Sequence, residues 1–371
     1  MSSNIASEAL KSIIPPMKVK VIGAGSIGNH LSQAARRMGW DVVVVDADPK
    51  ALARMKNDIY PTRYGAWDEA IEQYVAGEEP KGGYDVIMVG TPPHVRMQIA
   101  LKALAEKPKI LFLEKPLSFP FDPNLKKFIA ALKKQKGTVA LVGYDHAVAT
   151  STDRFAELLK QKVVGEPLTL DVEFREHWQG IFKAHPWLSG PQDSYLGYWK
   201  KGGGASGEHS HALHLWQHLA KKAGFGSWKK VTSHLKVEKK GKTEYDSLAS
   251  FSFETDKGKM GRVIQDVITM PTRKWARIQG TEGFIEWLCN GHATGDIVRF
   301  AGGDGSVHEE IFEKRRPDDF YKEMLHINDI IEKRVKPADS PLAFETGVSV
   351  MRVLETAWKS KGKSLQTIAS K

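Results

Sequence analysis

Three polar side chains in this sequence have the chemistry to move a proton to or from a hydroxyl group. His211 stands in a run of histidines, and a neutral imidazole with a pKa of about 6.5 can accept a hydroxyl proton. Glu208, three residues earlier, could hold that imidazole or stabilise its charged form. Lys115 follows a hydrophobic run, and its ammonium could stabilise an oxygen that gains negative charge. These residues predict acid–base chemistry on an alcohol or a ketone.

Each of the three also has a purely structural interpretation. Lys115 could be a surface lysine at the end of a strand, and His211 could be a buried histidine with satisfied hydrogen bonds. Glu208 could instead cap the helix that follows it. If the proton acceptor lies elsewhere, Asp145 and Tyr144 are the next candidates to consider.

A glycine pattern near the N-terminus indicates a dinucleotide site. Gly23, Gly25 and Gly28 form a G-x-G-x-x-G run that follows a predicted strand and opens a helix. These glycines permit a tight turn, a close approach of the pyrophosphate and close helix–strand packing. Asp46 lies 18 residues after Gly28, at the end of the next predicted strand. Its carboxylate suits ribose hydroxyls and repels a 2′-phosphate, so the pattern predicts NAD, with NADP less favoured.

A metal site is the main rival interpretation of the histidine run. His211, His214 and His218 have the spacing i, i+3 and i+7, which places them on one face of a helix. Leucines and a tryptophan between them indicate that part of this helix faces the core, and no distant ligand is evident. We therefore predict no metal, and the histidine face remains the alternative.

The elements that must position these residues follow two patterns. In the first half, apolar runs alternate with helical stretches, which predicts a doubly wound parallel sheet of the Rossmann type. The predicted strands of this half are 19–22, 40–45, 85–89, 110–113 and 139–142, and its helices are 29–38, 97–105 and 125–136.

After Gly143 the pattern changes to successive strands with short polar turns, which predicts an α+β domain with a mostly antiparallel open sheet. Its predicted strands are 168–174, 231–237, 247–253, 261–267, 275–279 and 283–288, and its helices are 155–162, 318–333 and 344–360. We predict three parts: an extension over 1–16, an NAD-binding domain over 17–145, and a substrate-binding and oligomerisation domain over 146–371.

Composition limits the class of protein. The 371 residues include 41% hydrophobic and 26% charged residues, as in a globular protein with a substantial core. No apolar run is long enough to cross a bilayer, the N-terminus does not read as a secretory signal, and the single cysteine Cys289 excludes an internal disulfide. These features predict a cytoplasmic protein. The net charge of +10 comes without a nucleic-acid motif, so no nucleic-acid partner is expected, although a positive field would favour an anionic substrate.

Several short motifs resemble one known family. The glycine run is followed at family-like distances by the segments Thr91-Pro92-Pro93, Glu114-Lys115-Pro116, Val142-Gly143-Tyr144 and Arg277-Ile278-Gln279-Gly280-Thr281-Glu282-Gly283. With them the chain resembles the glucose–fructose oxidoreductase and inositol dehydrogenase (Gfo/Idh/MocA) family over nearly all of residues 17–365. The stretch 202–214 resembles a variant in which three glycines precede Asp/Glu-x-Ser-His-x-x-Asp, and residues 185–187 fit the same subgroup of oxidoreductases from glycan and acidic-sugar pathways.

The resemblance assigns roles to individual residues. It implies that Lys115, His211 and Glu208 are catalytic. It implies that the cofactor contacts Gly23, Gly25, Ser26, Ile27, Gly28, Asp46, Thr91, Pro92, Glu114 and Lys115. It implies that the substrate contacts Lys115, Tyr144, Trp187, His211 and His214. Two departures bear on the substrate: His214 replaces an aspartate of the family, and Ala147-Val148 replaces its Arg-Phe pair.

The resemblance therefore implies an NAD-dependent dehydrogenase acting on CH–OH groups. It would transfer a hydride between nicotinamide and a secondary hydroxyl or ketone of a sugar, sugar acid or cyclitol. Two alternatives remain, an NAD-assisted glycosidase that oxidises the sugar transiently and a non-catalytic NAD-binding sensor. Family resemblance and an uncovered sheet face predict a homodimer or homotetramer.

Overall fold

The computed structural model describes residues 16–183, 185, 187–360 and 364–367. Apart from Pro16, the predicted extension over 1–16 lies outside these residues. Two sheets organise the described chain, one of six strands and one of nine. This confirms the predicted fold class, a Rossmann-type layer followed by a mostly antiparallel layer.

The first sheet is entirely parallel and has the order β3-β2-β1-β4-β5-β6. Its strands are β1 (Lys18–Ile22), β2 (Asp41–Asp46), β3 (Ile71–Val75), β4 (Val86–Val89), β5 (Ile110–Glu114) and β6 (Val139–Gly143). The central strands β4 and β5 are buried along their whole length, which is why they read as continuous apolar runs. The sequence pattern missed the edge strand β3, because its residues are largely polar and only partly buried.

Helices cover this sheet and connect its strands. They are α1 (Ser26–Arg37), α2 (Pro49–Arg54), α3 (Tyr60–Tyr64), α4 (Pro93–Ala105) and α5 (Pro123–Lys134). The short helices α2 and α3 flank a π-helical turn and were not predicted. Helix α1 has no acidic residue in its first turn and two arginines in its last, so its charges leave the N-terminus attractive to an anion.

The second sheet has the order β14-β13-β12-β11-β7-β10-β9-β8-β15. Its strands are β7 (Pro167–Arg175), β8 (Trp228–Lys240), β9 (Thr243–Thr255), β10 (Met260–Asp266), β11 (Arg273–Gly280), β12 (Phe284–His292), β13 (Gly295–Ala301), β14 (Val307–Glu313) and β15 (Ser364–Thr367). Neighbours pair antiparallel except β7 and β10, which are parallel. The sequence pattern missed β13, β14 and β15.

Helices cover one face of the second sheet. The helices of this half are α6 (Thr150–Lys160), α7 (Trp178–Lys183), α8 (Gly204–Glu208), α9 (His211–Lys222), α10 (Arg316–Ile331) and α11 (Phe344–Lys359). Trp216 on α9 donates its indole N–H to the Leu170 carbonyl of β7 at 2.8 Å. On α6, Ser151 accepts from the Trp287 indole at 2.9 Å and donates to Asp296 at 2.7 Å.

The opposite face of the second sheet carries a ladder of charges. Arg277, Glu286, Arg299 and Glu309 lie side by side on four neighbouring strands and form ion pairs of 2.9, 3.7 and 2.7 Å. Met260 and Val307 on this sheet are each 61% exposed. In the described part of the chain, no helix is both long enough and apolar enough to cross a membrane.

The last two helices return to the first sheet. On α10, the Phe320 ring stacks on His30 of α1 with centroids 4.4 Å apart, and Asp318 pairs with Arg37 at 2.6 Å. The Leu342 carbonyl, just before α11, accepts a hydrogen bond from Val142 of β6 at 2.8 Å. The two layers consequently share one continuous hydrophobic core, and the carboxyl ends of β5 and β6 face residues from the second half of the chain.

Candidate active site

The turn between β1 and α1 has the geometry that a dinucleotide requires. Gly23 has a φ of +109°, which L side chains rarely adopt. A Cβ at Gly28 would lie 1.8 Å from the Gly23 carbonyl oxygen, so only glycine permits this helix–turn contact. A Cβ at Gly25 would meet no described atom within 4 Å. Gly25 therefore borders open space at the N-terminus of α1, where a pyrophosphate would lie.

Asp46 supports this turn from the end of β2. Its carboxylate accepts a hydrogen bond from the Ala24 amide at 2.7 Å and another from the Asp48 amide at 2.9 Å. Ser26 and Ile27 begin α1 directly after the turn. The structure thus brings the first five predicted cofactor residues and Asp46 together.

The loops after β4 and β5 are held to one another by Arg96, a residue that the sequence analysis did not single out. Its guanidinium is 3% exposed and donates to the Glu114 carbonyl at 2.6 Å, and it also bonds the carbonyls of Thr91 and Pro116. A buried guanidinium with three donors used in this way fixes both loops. Only the tertiary contact identifies it, because Arg96 lies within an ordinary helical segment.

The same loops offer unused polar groups to a cofactor. The Thr91 hydroxyl is buried and has no hydrogen-bond partner among the described residues. Pro92 is the N-cap residue of α4, which begins at Pro93. Burial raises the pKa of Glu114 to about 7, against the opposing charges of Arg96 and Lys115. These groups and the glycine turn fit a dinucleotide that crosses the carboxyl ends of β1, β4 and β5.

Lys115 is joined to Glu208 across the two halves of the chain. Its ammonium donates to the Glu208 main-chain carbonyl at 2.9 Å and lies 3.4 Å from the Glu208 carboxylate. Burial opposes ionisation of that carboxylate, but the Lys115 charge prevails and the pKa of Glu208 is lowered. The N-cap of α9 is Ser210 without a side-chain bond, so Glu208 does not cap that helix. Lys115 is 14% exposed at its side chain and is not a surface lysine.

His211 faces Asp145, which follows β6. Its Nδ1 lies 3.4 Å from a carboxylate oxygen of Asp145, a distance that is often shortened when substrate binds. Burial lowers the pKa of His211 well below its ordinary value, although the Asp145 charge opposes this shift. The imidazole is therefore neutral near pH 7. Its Nδ1 is buried and makes no hydrogen bond among the described residues, with the Asp145 carboxylate as its nearest charge.

Tyr144 and His214 form the wall behind His211. The Tyr144 ring is fully buried, stacks on His214 with centroids 4.0 Å apart and meets the edge of His211 at 5.5 Å. His214 is 1% exposed, and its Nε2 contacts the Pro341 carbonyl at 2.9 Å and the Thr346 hydroxyl at 3.1 Å. These contacts pack His214 into the core, whereas the Tyr144 hydroxyl is buried without a hydrogen-bond partner among the described residues. Contact of either residue with substrate stays a prediction.

Trp187 lies on the nucleotide side of the molecule. Its ring is 41% exposed, 5.4 Å from the His185 ring and 5.8 Å from the Arg54 guanidinium of α2. No ring contact joins it to His211 in the part of the chain that is described. Its neighbour His185 lies close enough for its charge to act on Glu208, so contact of Trp187 with substrate stays a prediction.

The alternative metal set on α9 is not assembled. His214 is engaged by Pro341, and His218 is not among the donor groups that converge within the described residues. The side chains that do converge are Asp145, His146 and His211, whose possible ligand atoms lie within 4.8 Å of one another. His146 packs between Phe174 and Trp287, and burial lowers its pKa to about 4.

Comparison with known proteins identifies the family. Residues 17–144 match the oxidoreductase family model GFO_IDH_MocA, described as an NAD-binding Rossmann fold, and residues 152–286 match the C-terminal domain of the same family. The chain belongs to the GFO/IDH/MocA family of oxidoreductases. Its cofactor is NAD, in agreement with the glycine turn.

Solved structures with the same fold include two whose chains are covered completely. Levoglucosan dehydrogenase in complex with NADH and L-sorbose is 16% identical, with a TM-score of 0.76 over 96% of this chain and 100% of that one. An oxidoreductase domain protein from Kribbella flavida is 17% identical, with the same TM-score and coverage.

A third structure and one curated relative complete the comparison. GenD2 from gentamicin A biosynthesis, in complex with NAD, is 18% identical with a TM-score of 0.72, over 96% of this chain and 98% of that one. Glycerol-3-phosphate dehydrogenase [NAD(P)+] from Acholeplasma laidlawii is 27% identical over 179 residues, 46% of this chain. The chain spans about half the length of that curated relative, 51%.

Proposed function

We propose that this oxidoreductase transfers a hydride between NAD and a secondary hydroxyl or ketone of a sugar-like substrate. One observation carries the proposal. A neutral histidine, 14% exposed and 3.4 Å from Asp145, and an ammonium, held by Glu208, come from the carboxyl ends of β5 and β6 and from α9, at the sheet edge that also carries the dinucleotide turn. Oxidation of an alcohol requires a proton acceptor and a stabiliser of negative charge on the same oxygen, and these two groups supply both.

His211 is the proposed acid–base group. With Nδ1 directed at Asp145, its Nε2 accepts the hydroxyl proton, and Asp145 stabilises the imidazolium that results. Lys115 donates a hydrogen bond to the same substrate oxygen and offsets its developing charge. In the reverse direction His211 returns the proton to the carbonyl oxygen.

The cofactor would be held by the glycine turn, Asp46 and the Thr91 loop. When bound, NAD supplies the hydride acceptor, and NADH the donor. Arg96 donates to the main-chain carbonyls of Thr91 and Glu114 and so fixes the separation of the loops after β4 and β5. Lys115, on the second of these loops, would therefore approach the substrate from one side. His211 is presented from the other, by the N-terminus of α9.

The NAD-assisted glycosidase remains a second candidate on the same site. It would use the same base and ammonium for a transient oxidation.

We also propose that 17–145 forms the NAD-binding domain, and 146–371 the substrate-binding and oligomerisation domain. The uncovered face of the second sheet would form a homodimer or homotetramer, and its exposed Met260, Val307 and Ile311 support that surface.

The proposal is tested by incubating the protein with NAD and a panel of sugars and cyclitols while NADH absorbance is followed. Net NADH formation supports a dehydrogenase, whereas sugar release from an aryl glycoside without net NADH indicates the glycosidase. Lys115→Ala should lower turnover by roughly a hundredfold or more. Retention of full turnover by that variant, with NAD still bound, would refute the assigned role of Lys115.

A further inference from the structure

The helix that carries Glu208 is too short to hold its own position. Helix α8 has only 5 residues, and two of them and the two residues before it are glycines. An isolated helix of this length does not form in water, and glycine offers no side chain that could anchor it. Contacts from outside α8 must therefore set where Glu208 lies.

Asp246 of β9 holds the first turn of α8. Its side chain is fully buried and accepts hydrogen bonds from the Ser206 amide at 2.7 Å and from the Ser206 hydroxyl at 3.1 Å. Burial raises the pKa of Asp246 to about 7, and the bonds from Ser206 act against that rise. A Cβ at Gly204 would lie 2.1 Å from Oδ1 of Asp246 and 3.0 Å from its amide nitrogen, so a side chain there would push helix and strand apart. The carboxylate thus ties the start of α8 to the second sheet.

Gln265 of β10 holds the other end of α8. Its side chain is fully buried, and its amide group donates to the main-chain carbonyl of His209, the C-cap residue of α8. The same carbonyl accepts the Ala212 amide at 2.9 Å, in the first turn of α9. Strands β9 and β10 are neighbours in the sheet. Two adjacent strands therefore hold the two ends of α8 and the start of α9.

Both groups of the proposed chemistry depend on this support. The Lys115 ammonium donates to the main-chain carbonyl of Glu208 at 2.9 Å, closer than the 3.4 Å to the Glu208 carboxylate. A main-chain acceptor moves with its helix, so the position of α8 sets that of the ammonium. His211 is the first residue of α9 and follows His209 by two positions. A shift of α8 would therefore move Lys115 relative to the imidazole.

We propose that Asp246 and Gln265 are positioning residues for the hydride transfer, and that they fix the Lys115 ammonium relative to His211 through α8. The inference rests on the proposed function, because it concerns how the two acting groups of that function are held. Neither residue belongs to the glycine turn, so NAD binding should not depend on them. The alternative is a purely structural role, in which both residues only stabilise the fold.

Two apolar variants remove the support, and one polar variant keeps it. Asp246→Leu and Gln265→Met retain most of the side-chain volume but lose the hydrogen bonds to α8. Asp246→Asn keeps them, because its carbonyl oxygen can accept the Ser206 amide and its NH2 group can donate to the Ser206 hydroxyl. Ser151→Ala is the matched control, since it removes two buried hydrogen bonds of α6, another helix packed on the second sheet.

Acylation of Lys115 measures its position without any substrate. The full chain is treated briefly with acetic anhydride, and the labelling of each lysine is measured by peptide mass spectrometry. Only a free amine reacts, so release from α8 should speed the labelling of Lys115 by about tenfold in Asp246→Leu and Gln265→Met, the factor for roughly one lost hydrogen bond. Lys20, 1% exposed and paired with Glu106 at 2.8 Å, is the internal reference and should stay unchanged.

Turnover on the sugar and cyclitol panel measures the consequence. The two apolar variants should lower kcat by about ten- to a hundredfold, because a small displacement of a reacting group is costly. The dissociation constant of NADH, followed by fluorescence, should not change. Asp246→Asn should restore the wild-type kcat, and Ser151→Ala should lower the melting temperature while leaving both Lys115 labelling and kcat unchanged.

The outcomes separate the positioning role from the proposed function. Faster labelling of Lys115 alone, with a lower kcat, supports the inference. Unchanged labelling of Lys115, an equal rise at Lys115 and Lys20, or faster labelling with an unchanged kcat overturns it and leaves the hydride transfer intact. If Asp246→Leu does not fold, Gln265→Met decides by the same measurements. Absence of wild-type turnover on the whole panel refutes the proposed function instead, and the labelling still decides whether α8 holds Lys115.

Discussion

The nucleotide turn and the proton-transfer group lie at the same edge of the first sheet but are built differently. The turn comprises residues 22–28, supported by Asp46 from the adjacent strand, and it presents main-chain groups and open space. The proposed proton-transfer group comprises Lys115, Asp145, Glu208 and His211, and the groups that would act there are side chains.

The difference follows from the ligands. A pyrophosphate has the same shape and charge in every dinucleotide, so main-chain amides and a helix N-terminus suffice to bind it. A hydroxyl that is to be oxidised requires a base and a charge stabiliser at defined positions, which only side chains provide. Substitutions should therefore act on binding in the first region and on the chemical step in the second.

The largest expected effect is the loss of the base. His211→Ala removes the proposed proton acceptor and should lower turnover by about a hundred- to ten-thousandfold. The NAD dissociation constant should stay nearly unchanged, because His211 comes from the second half of the chain. Steady-state rates and NADH fluorescence titration measure both quantities. A large loss of NAD affinity would show that the two regions are not separable in this way.

The glycine turn gives the matching test in the first region. Gly25→Ala should fold normally, because its Cβ meets no described atom within 4 Å, yet weaken NAD binding by about tenfold or more. Gly28→Ala should lower the melting temperature as well, because its Cβ would lie 1.8 Å from the Gly23 oxygen. Thermal unfolding and NAD titration distinguish them, and equal stability of the two variants would contradict the packing argument.

Asp145→Asn tests whether Asp145 acts on His211, through the pH dependence of the oxidation rate. The carboxylate raises the pKa of His211 against burial, so its loss should lower that pKa further. The acid limb of the oxidation rate should move to lower pH, and the maximal rate should fall by about tenfold as the imidazolium loses its partner. A variant with a reduced rate and an unmoved pH profile would assign Asp145 a packing role only.

The smallest expected effect concerns cofactor choice. Asp46→Ser removes the charge that would repel the extra phosphate of NADP, so the preference for NAD should narrow by roughly tenfold. NAD affinity should fall modestly, because the bond to the Ala24 amide at 2.7 Å is also altered. Parallel titrations with NADH and NADPH provide the measurement. If the wild-type protein bound NADPH more strongly than NADH, Asp46 would not be the residue that selects NAD over NADP.

The sequence by itself determined the features that depend on neighbours along the chain. The glycine turn, Asp46 at the end of β2, and the alternation of strands and helices are local patterns, and they predicted the Rossmann layer and NAD. The apolar runs of β4 and β5 were equally clear, because buried parallel strands are hydrophobic throughout. The edge strands β3 and β14 were missed, because partial exposure weakens the same signal. Strand β13 was missed although most of its residues are buried.

Only the tertiary structure decided which polar side chains meet. Arg96 is anchored by three carbonyls from two loops, and Asp145 lies 66 residues before the histidine that it faces. The stack of His214 on Tyr144 and the approach of Trp187 to Arg54 were likewise not predictable from spacing. Spacing along a helix fixes the face on which a side chain lies, but not what the fold packs against that face. Contacts between distant segments depend on the packing of the whole core, which no local pattern encodes.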